Sequence, residues 1–299
     1  MSAKVVCAGI AVLDRVYLFE HLPLTPGKHT ARGYRENGGG MAATAAIAIA
    51  ALGGTAHWIG RLGADATGET LLHWLHRLNV NTEGTAIVPG GQSPSAGITL
   101  DAQGERVLAV YPGANLPEDA PIPEAALEGA GAVLADPRWV GGAERIFAMG
   151  RARGLPRVLD AELSPPAILH RLAPQADHVI FSERGLVDFS GIADPEAALA
   201  DTARKLDATI AVTLGARGSL WWREDRAVAL PAPRVQARDT TGCGDVFHGA
   251  YALGLAEGMA VMEAARFATA AAAIKATMAD GWNGMPGRAA VRAMLMEGW

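Results

Sequence analysis

Short apolar runs that do not alternate with polar residues recur along this chain, and most are followed by a segment with helical spacing. The runs are KVVCAGI (4–10), TAHWIG (55–60), GAVLAD (131–136), RVLDA (157–161), HVIFS (178–182) and ATIAVTL (208–214). A strand buried on one face alternates. A strand buried on both faces reads as a continuous apolar run, the pattern of parallel sheets covered by helices on either side. Helical spacing over 41–52, 67–78, 142–153, 166–172 and 195–206 fills the gaps. Strand and helix in alternation predict a three-layer α/β fold around a mainly parallel central sheet. No internal repeat, linker or interior boundary is visible, so residues 1–299 are expected to form one domain.

Two stretches break the alternation. Residues 14–35 hold VYLF and then a run punctuated by Pro and Gly; residues 95–112 read SAGITLDAQGERVLAVYP, two strands about a Gly-containing turn. Both are expected as antiparallel pieces outside the main sheet. The functional reading makes segments 15–35 and 95–112 a small β-sheet lid over a cleft, and an ordinary edge hairpin is the plain alternative. Exposed edge strands need covering, so a homodimer joined through them is expected. Residues 244–279 are Ala-rich and helical in spacing, with a break near Gly258.

Composition removes several classes. Lys and Arg number 26 against 31 Asp and Glu, a formal net charge of −5. A general nucleic-acid binder needs a basic face, so no nucleic-acid partner is expected. The chain is 50% hydrophobic and 19% charged, which argues against disorder and for a large core. Cys7 and Cys243 cannot build a disulfide framework or a Cys-rich metal site, so a reducing, cytoplasmic setting is expected. The start, MSAKVVCAGI, has a short apolar stretch with no cleavage site after it, so no signal peptide is expected. Residues 37–60 carry no formal charge. They are mostly alanine and are split by Gly53-Gly54, so a buried helix and strand fit better than a membrane span.

The strongest local signal is RDTTGCGDVFHG (238–249), which runs into the helical pattern AYALGLAEG. Gly242, Cys243 and Gly244 stand where a loop turns into a helix. Their N–H groups point along the positive end of its dipole, a place that favours a phosphate oxygen or developing negative charge. Asp245 falls in the first turn, where a carboxylate can take the proton of a hydroxyl nucleophile. Nucleophile, anion hole and base in one place is what phosphoryl transfer requires. A bare Gly-x-Gly-Asp would read better as a Gly-rich turn; the full run and its long apolar helix favour chemistry. A second Gly-rich signal, GGGMAATAAIAIAALG (38–53), precedes WIGRLGADATG (58–68). Three glycines before a helix let a small ligand approach the backbone, and a cap with close packing would look the same. No Walker pattern occurs and no GxGxxG follows a strand, so P-loop and dinucleotide folds have little support.

Together these segments resemble the signatures of the ribokinase-like (PfkB) carbohydrate kinases. DTTGCGDVFHG is similar to the C-terminal signature, with Cys243 where alanine is usual. GGMAATAAIAIAALG and GRLGADATG are similar to the N-terminal one, and VTLGARGS (212–219) to the nucleotide-binding strand-turn. The resemblance runs the length of the chain in the right order. It implies ATP and Mg²⁺ as cofactors and a sugar phosphorylated on a primary hydroxyl. It makes Asp245 the base and Gly242, Cys243 and Gly244 the anion hole. Thr213, Gly215 and Gly218 would line the ATP site, with Thr269 beside them. Asp14, Gly39 and Gly40 would face the sugar. Asp239 and Thr241 match positions that hold a monovalent cation in some members, so K⁺ is a further expectation. Three positions depart from the pattern. Thr44 stands for the Asn of the sugar motif. Ser182-Glu-Arg-Gly185 stands for the N-x-x-E that organises magnesium and phosphates, and Thr269 for the Asn of the late helix.

Within the family, GIAVLDRVY (9–17), GKHTARGY (27–34), GGGMAATAA (38–46), VLADPRW (133–139), VLDAELSP (158–165) and FSERGL (181–186) are most similar to the sulfofructose kinases of sulfoglycolysis. The changes at Thr44 and Ser182 are similar to that subgroup's own pattern. There a Lys, an Asn and an Arg hold the sulfonate; Lys28 and Arg138 match two of them, and Val110 stands at the Asn position. The expected reaction takes 6-deoxy-6-sulfofructose to its 1-phosphate. Fructose, a ketohexose phosphate, a keto-deoxy sugar acid or a nucleoside are the alternative acceptors. A nucleotide-sensing binding protein is the non-enzymatic alternative, against which the intact Gly-x-Gly-Asp argues.

Overall fold

In a computed structural model that describes residues 2–22 and 25–299, strands and helices alternate as the apolar runs require. Pro23 and Leu24, inside the first expected lid segment, lie outside the described residues. In chain order the elements are β1 (Lys4–Ala8), β2 (Val12–Leu18), β3 (Gly33–Gly39), α1 (Met41–Ala51), β4 (Thr55–Ile59), β5 (Arg61–Gly63), α2 (Ala66–Arg77), β6 (Val80–Asn81), β7 (Ala86–Val88), β8 (Ser95–Leu100) and β9 (Arg106–Tyr111). Then come β10 (Ala130–Ala135), α3 (Val140–Ala152), β11 (Arg157–Ala161), α4 (Pro166–Leu172), β12 (His178–Ser182), α5 (Glu183–Ser190), α6 (Pro195–Lys205) and β13 (Thr209–Thr213). The chain closes with β14 (Ser219–Arg223), β15 (Arg226–Leu230), α7 (Cys243–Ala256), α8 (Val261–Ala276) and α9 (Arg288–Glu297).

Among the described residues nine strands form the main sheet, in the order β15-β14-β13-β12-β11-β10-β1-β4-β6. From β13 to β6 every pair is parallel. Only β14 and β15 run as an antiparallel edge hairpin. Val5 and Cys7 of β1 enter one core with α1, α7 and α8, while Val6 and Ala8 enter the other with α3 to α6. Both faces of the strand are therefore buried, which is why the run is apolar throughout. The alanines of α1 have a related cause. Residues Ala42 to Ile49 are all buried, and Gly249 of α7 sits so close that a Cβ there would stand 2.4 Å from Ala45 O. Small side chains let the two helices approach closely and bring the glycine run before α1 beside the start of α7.

A second sheet has the order β3-β2-β8-β9. Both expected hairpins are present and antiparallel, but a parallel β2–β8 pairing joins them, so this sheet is mixed. Its first hairpin starts earlier than expected and ends later, because Val12 and Leu13 already pair with Gly39 and Gly38. In the main sheet the chain runs outward from β1 to β4 and β6, then back past β1 to β10 and onward. The carboxyl ends of β1 and β10 flank that reversal, where open α/β sheets form a ligand crevice. No helix among the described residues is long and apolar enough to cross a membrane.

Candidate active site

The floor of the crevice is tied together by Asp136, fully buried at the end of β10. Its Oδ2 accepts hydrogen bonds from the amides of Ile10 (2.8 Å) and Ala42 (3.0 Å), and its Oδ1 from that of Arg138 (2.8 Å). One carboxylate thus fixes the β1–β2 turn against the start of α1. The glycine run supplies the room this arrangement needs. Gly40 has φ 96°, and a Cβ there would lie 2.5 Å from Ile10 O. A Cβ at Gly39 would lie 2.5 Å from Asp14 Oδ2, and one at Gly38 would enter the Trp282 ring. The Trp282 indole N–H donates to Thr44 Oγ1 at 2.9 Å, which anchors the buried Thr44. Burial pushes the Asp14 carboxyl up to about 6.

Two cavities meet at the loop before α7. The first, ≈ 780 Å³, is lined by Asp14, Asn37, Arg35, Arg106, Arg238 and Asp239 among others. The second, ≈ 630 Å³, is lined by Thr213, Gly215, Gly218, Thr269, Cys243 and Gly244 among others. Ala237 and Thr240 belong to both. Gly242 caps α7 in the left-handed region, with φ 75°, a conformation glycine adopts without strain. Asp245 follows in the first turn. Burial, and then the charge of Asp160, push its carboxyl up to about 8. Asp160 is itself buried, with its Oδ2 3.3 Å from His248 Nδ1. Of the three expected hole amides, that of Cys243 already donates to Thr240 O at 3.3 Å. The Cys243 thiol, pushed up to about 11 by burial, is chemically quiet.

The other expected residues are placed as follows. Thr213 Oγ1 donates to Phe181 O (3.3 Å) and Thr269 Oγ1 to Ala265 O (2.8 Å), so both hydroxyls have backbone partners. Asp239 Oδ1 accepts from the Thr241 amide at 2.9 Å, and Thr241 Oγ1 accepts from Arg106 at 2.7 Å. Lys28 is exposed on the loop between β2 and β3. Arg138 follows β10, and its guanidinium donates to Leu163 O (2.9 Å) and Ser164 Oγ (3.3 Å). Neither cation lines the two cavities. Sequence reasoning missed Arg35, Arg106 and Arg238 as lining groups, and Asp136 and Trp282 as anchors. For Arg106 a signal existed: it opens the second strand of a segment already read as a lid. Glu162, at the end of β11, accepts from Ser182 Oγ at 2.9 Å, which brings a carboxylate to the altered N-x-x-E segment.

Comparison with known proteins agrees with this geometry. The model of the pfkB family of carbohydrate kinases matches residues 2–286. The ribokinase of Bacillus subtilis is 29% identical over 266 residues, covering 86% of this chain and 87% of the relative. Fructokinase-1 of Oryza sativa is 30% identical over 276 residues, covering 80% and 82%. The crystal structure of a ribokinase candidate from Agrobacterium tumefaciens superposes with a TM-score of 0.94 at 32% identity, covering 99% of this chain and 98% of that one. The ribokinase of Arabidopsis thaliana complexed with ribose and ATP superposes with a TM-score of 0.86 at 25% identity, covering 98% of each chain. The chain belongs to the pfkB family of carbohydrate kinases.

Proposed function

We propose that this ATP-dependent sugar kinase acts on a primary hydroxyl of a sugar that bears its own anionic group. The leading acceptor is 6-deoxy-6-sulfofructose, converted to its 1-phosphate. The observation that carries the acceptor class is the lining of the larger cavity, which holds three arginines, Arg35, Arg106 and Arg238, along with the carboxylates Asp14, Glu105 and Asp239. Phosphoryl transfer already concentrates negative charge at one end of the pocket, so a second anion needs cations of its own. The choice of a sulfonate rests on the sequence likeness to sulfofructose kinases. In that likeness Lys28 and Arg138 are the matched sulfonate ligands, and both would have to turn toward the acceptor.

In this reading ATP occupies the smaller cavity, along Thr213, Gly215, Gly218 and Thr269. Asp14 orients the acceptor over Gly39, Gly40 and Thr44. Asp245 takes the hydroxyl proton, and amides at Gly242 and Gly244 hold the charge that develops, joined by that of Cys243 once it leaves Thr240 O. The second sheet acts as a lid, its segments 15–35 and 95–112 closing over the sugar and excluding water. Among the described residues no group of three or more His, Cys, Asp or Glu is arranged to hold a metal ion. Mg²⁺ needs only one or two carboxylates alongside phosphates and water. Glu162, held by Ser182 and close enough for its charge to act on Asp245, would supply such a carboxylate, and the ion would offset charge on the phosphates.

A coupled assay with ATP and a panel of acceptors tests the reading. Sulfofructose is expected to exceed fructose and ribose in kcat/KM. Charged hydrogen bonds contribute roughly 1.5–3 kcal/mol each, so Arg35→Ala, Arg238→Ala, Lys28→Ala and Arg138→Ala, taken singly, identify the anion's ligands by a KM higher by about one to two decades. Fructose used as well as the sulfonate would establish a neutral ketohexose acceptor instead, the alternative favoured by the likeness to the rice fructokinase.

A further inference from the structure

The inner end of α8 carries a cation without a partner. Lys275 is 1% exposed. Its Nζ is enclosed and makes no hydrogen bond, the one such ammonium among the described residues. An ammonium taken out of water with no anion beside it is strongly unfavourable, so the fold must gain something from the position. The next residue shows where it lies: Ala276 O accepts from the amides of Arg238 (2.7 Å) and Asp239 (3.2 Å), which docks the end of α8 onto the turn before α7. Cys243, at the start of α7, senses the same group. The Lys275 charge opposes the rise that burial imposes on the thiol, while Asp239 and Asp245 add to that rise. Lys275 therefore sits beside the turn that presents the anion hole.

This is also the turn where K⁺ was expected, and three of the oxygens there already accept hydrogen bonds. Asp239 Oδ1 faces the Thr241 amide, Thr241 Oγ1 faces the Arg106 guanidinium, and Ala276 O faces two amides. A bound cation needs several oxygens turned toward one point. Here these three are turned toward donors, and the residue before Ala276 brings a buried ammonium to the same turn, so the residues present do not fit a monovalent ion. We propose that the Lys275 ammonium stands in for such an ion, as a built-in positive charge that holds the 238–244 turn when negative charge arrives with the γ-phosphoryl group. The inference rests on the reading of that turn as the phosphoryl-transfer site. Lys275 is a positioning residue in this scheme.

The test uses the full chain in KCl, NaCl and tetramethylammonium chloride at equal ionic strength. The wild type is expected to show the same melting temperature and the same kcat in all three salts. Lys275→Met is expected to lose kcat by about tenfold or more, in line with weakened support of an anion hole, with the KM for the sugar little changed. A K⁺-specific rise in the melting temperature or kcat of the wild type would overturn the proposal, and that comparison needs no variant. Normal kcat in both Lys275→Met and Lys275→Gln would overturn it as well. If the site itself has been misread, Asp245→Asn keeps its turnover, an outcome distinct from either of these.

Discussion

In the proposed reaction Asp245 acts as a base only after it loses its proton, and its surroundings resist that loss. Burial, then the charge of Asp160, push the carboxyl from its ordinary value of 3.8 up to about 8. Between those two values the native state holds a proton that the unfolded chain has released. Stability contributed at this site therefore falls as pH rises through that window. The pH profile of kcat/KM is expected to climb along an acid limb near pH 8, and a profile flat from about pH 6 to 9 would remove Asp245 from the proton transfer. Asp245→Asn is expected to lower kcat by ~10²–10⁴. The same variant should melt higher than the wild type, with a gain that is larger at about pH 9 than at about pH 5; differential scanning fluorimetry across pH reads this directly. Residues such as Asp245 and the glycines of 38–40 are legible in sequence because their spacing along one segment carries the meaning. Asp136 and Trp282 are not, because they act across distance: Asp136 reaches Ala42 over 94 positions and Trp282 reaches Thr44 over 238. Nothing local to either residue records those partners.

Elements show the same division. Strands buried on both faces announce themselves as apolar runs, and every such run became a strand of the main sheet. The β14–β15 hairpin went unread because its strands are only partly buried and its turn, Glu224-Asp225, places two non-glycine residues at positive φ of 50° and 58°. The helix α5 went unread because its eight residues follow β12 directly, with Ser182 both ending the strand and capping the helix through the Gly185 amide at 3.1 Å. Between elements, the contact most open to test joins the second sheet to the turn before α7 through Arg106 and Thr241, 2.7 Å apart. The pair is exposed, so its worth to stability is on the order of 1 kcal/mol or less. Arg106→Ala is accordingly expected to leave the melting temperature within a few degrees of wild type. It should raise the KM for the sugar about tenfold if the sheet closes over the acceptor as proposed, because that closure would lose its attachment. Gly39→Ala is expected to raise the same KM while leaving that for ATP unchanged, since the added Cβ would stand 2.5 Å from Asp14 Oδ2 and displace it. Steady-state kinetics with each substrate varied in turn distinguishes these outcomes.

At the scale of the whole molecule, the second sheet leaves one strand incompletely covered. All six residues of β9 are exposed, among them Val107 (58%), Leu108 (48%), Val110 (64%) and Tyr111 (39%). β9 is also an edge, with β8 as its one neighbour in the sheet. An apolar edge strand with free backbone groups is a template for pairing with another chain unless something covers it. The symmetric solution is the same strand of a second copy, because one patch then serves both sides of a two-fold interface. This proposal assigns the sheet two tasks, closing over the sugar with one face and joining subunits with its edge. Arg106 and Leu108 line the larger cavity, so Val107 points to the opposite face by the two-residue period of a strand. Val107→Lys is therefore the informative substitution: it charges the apolar strand without entering the pocket. Light scattering coupled to size exclusion is expected to find the wild type dimeric at micromolar concentration and Val107→Lys monomeric. The variant should also lose sugar affinity if each lid needs its partner's edge to hold its closed position, and keep it if each subunit closes alone. A wild type that stays monomeric at high concentration would leave β9 uncovered and refute the dimer.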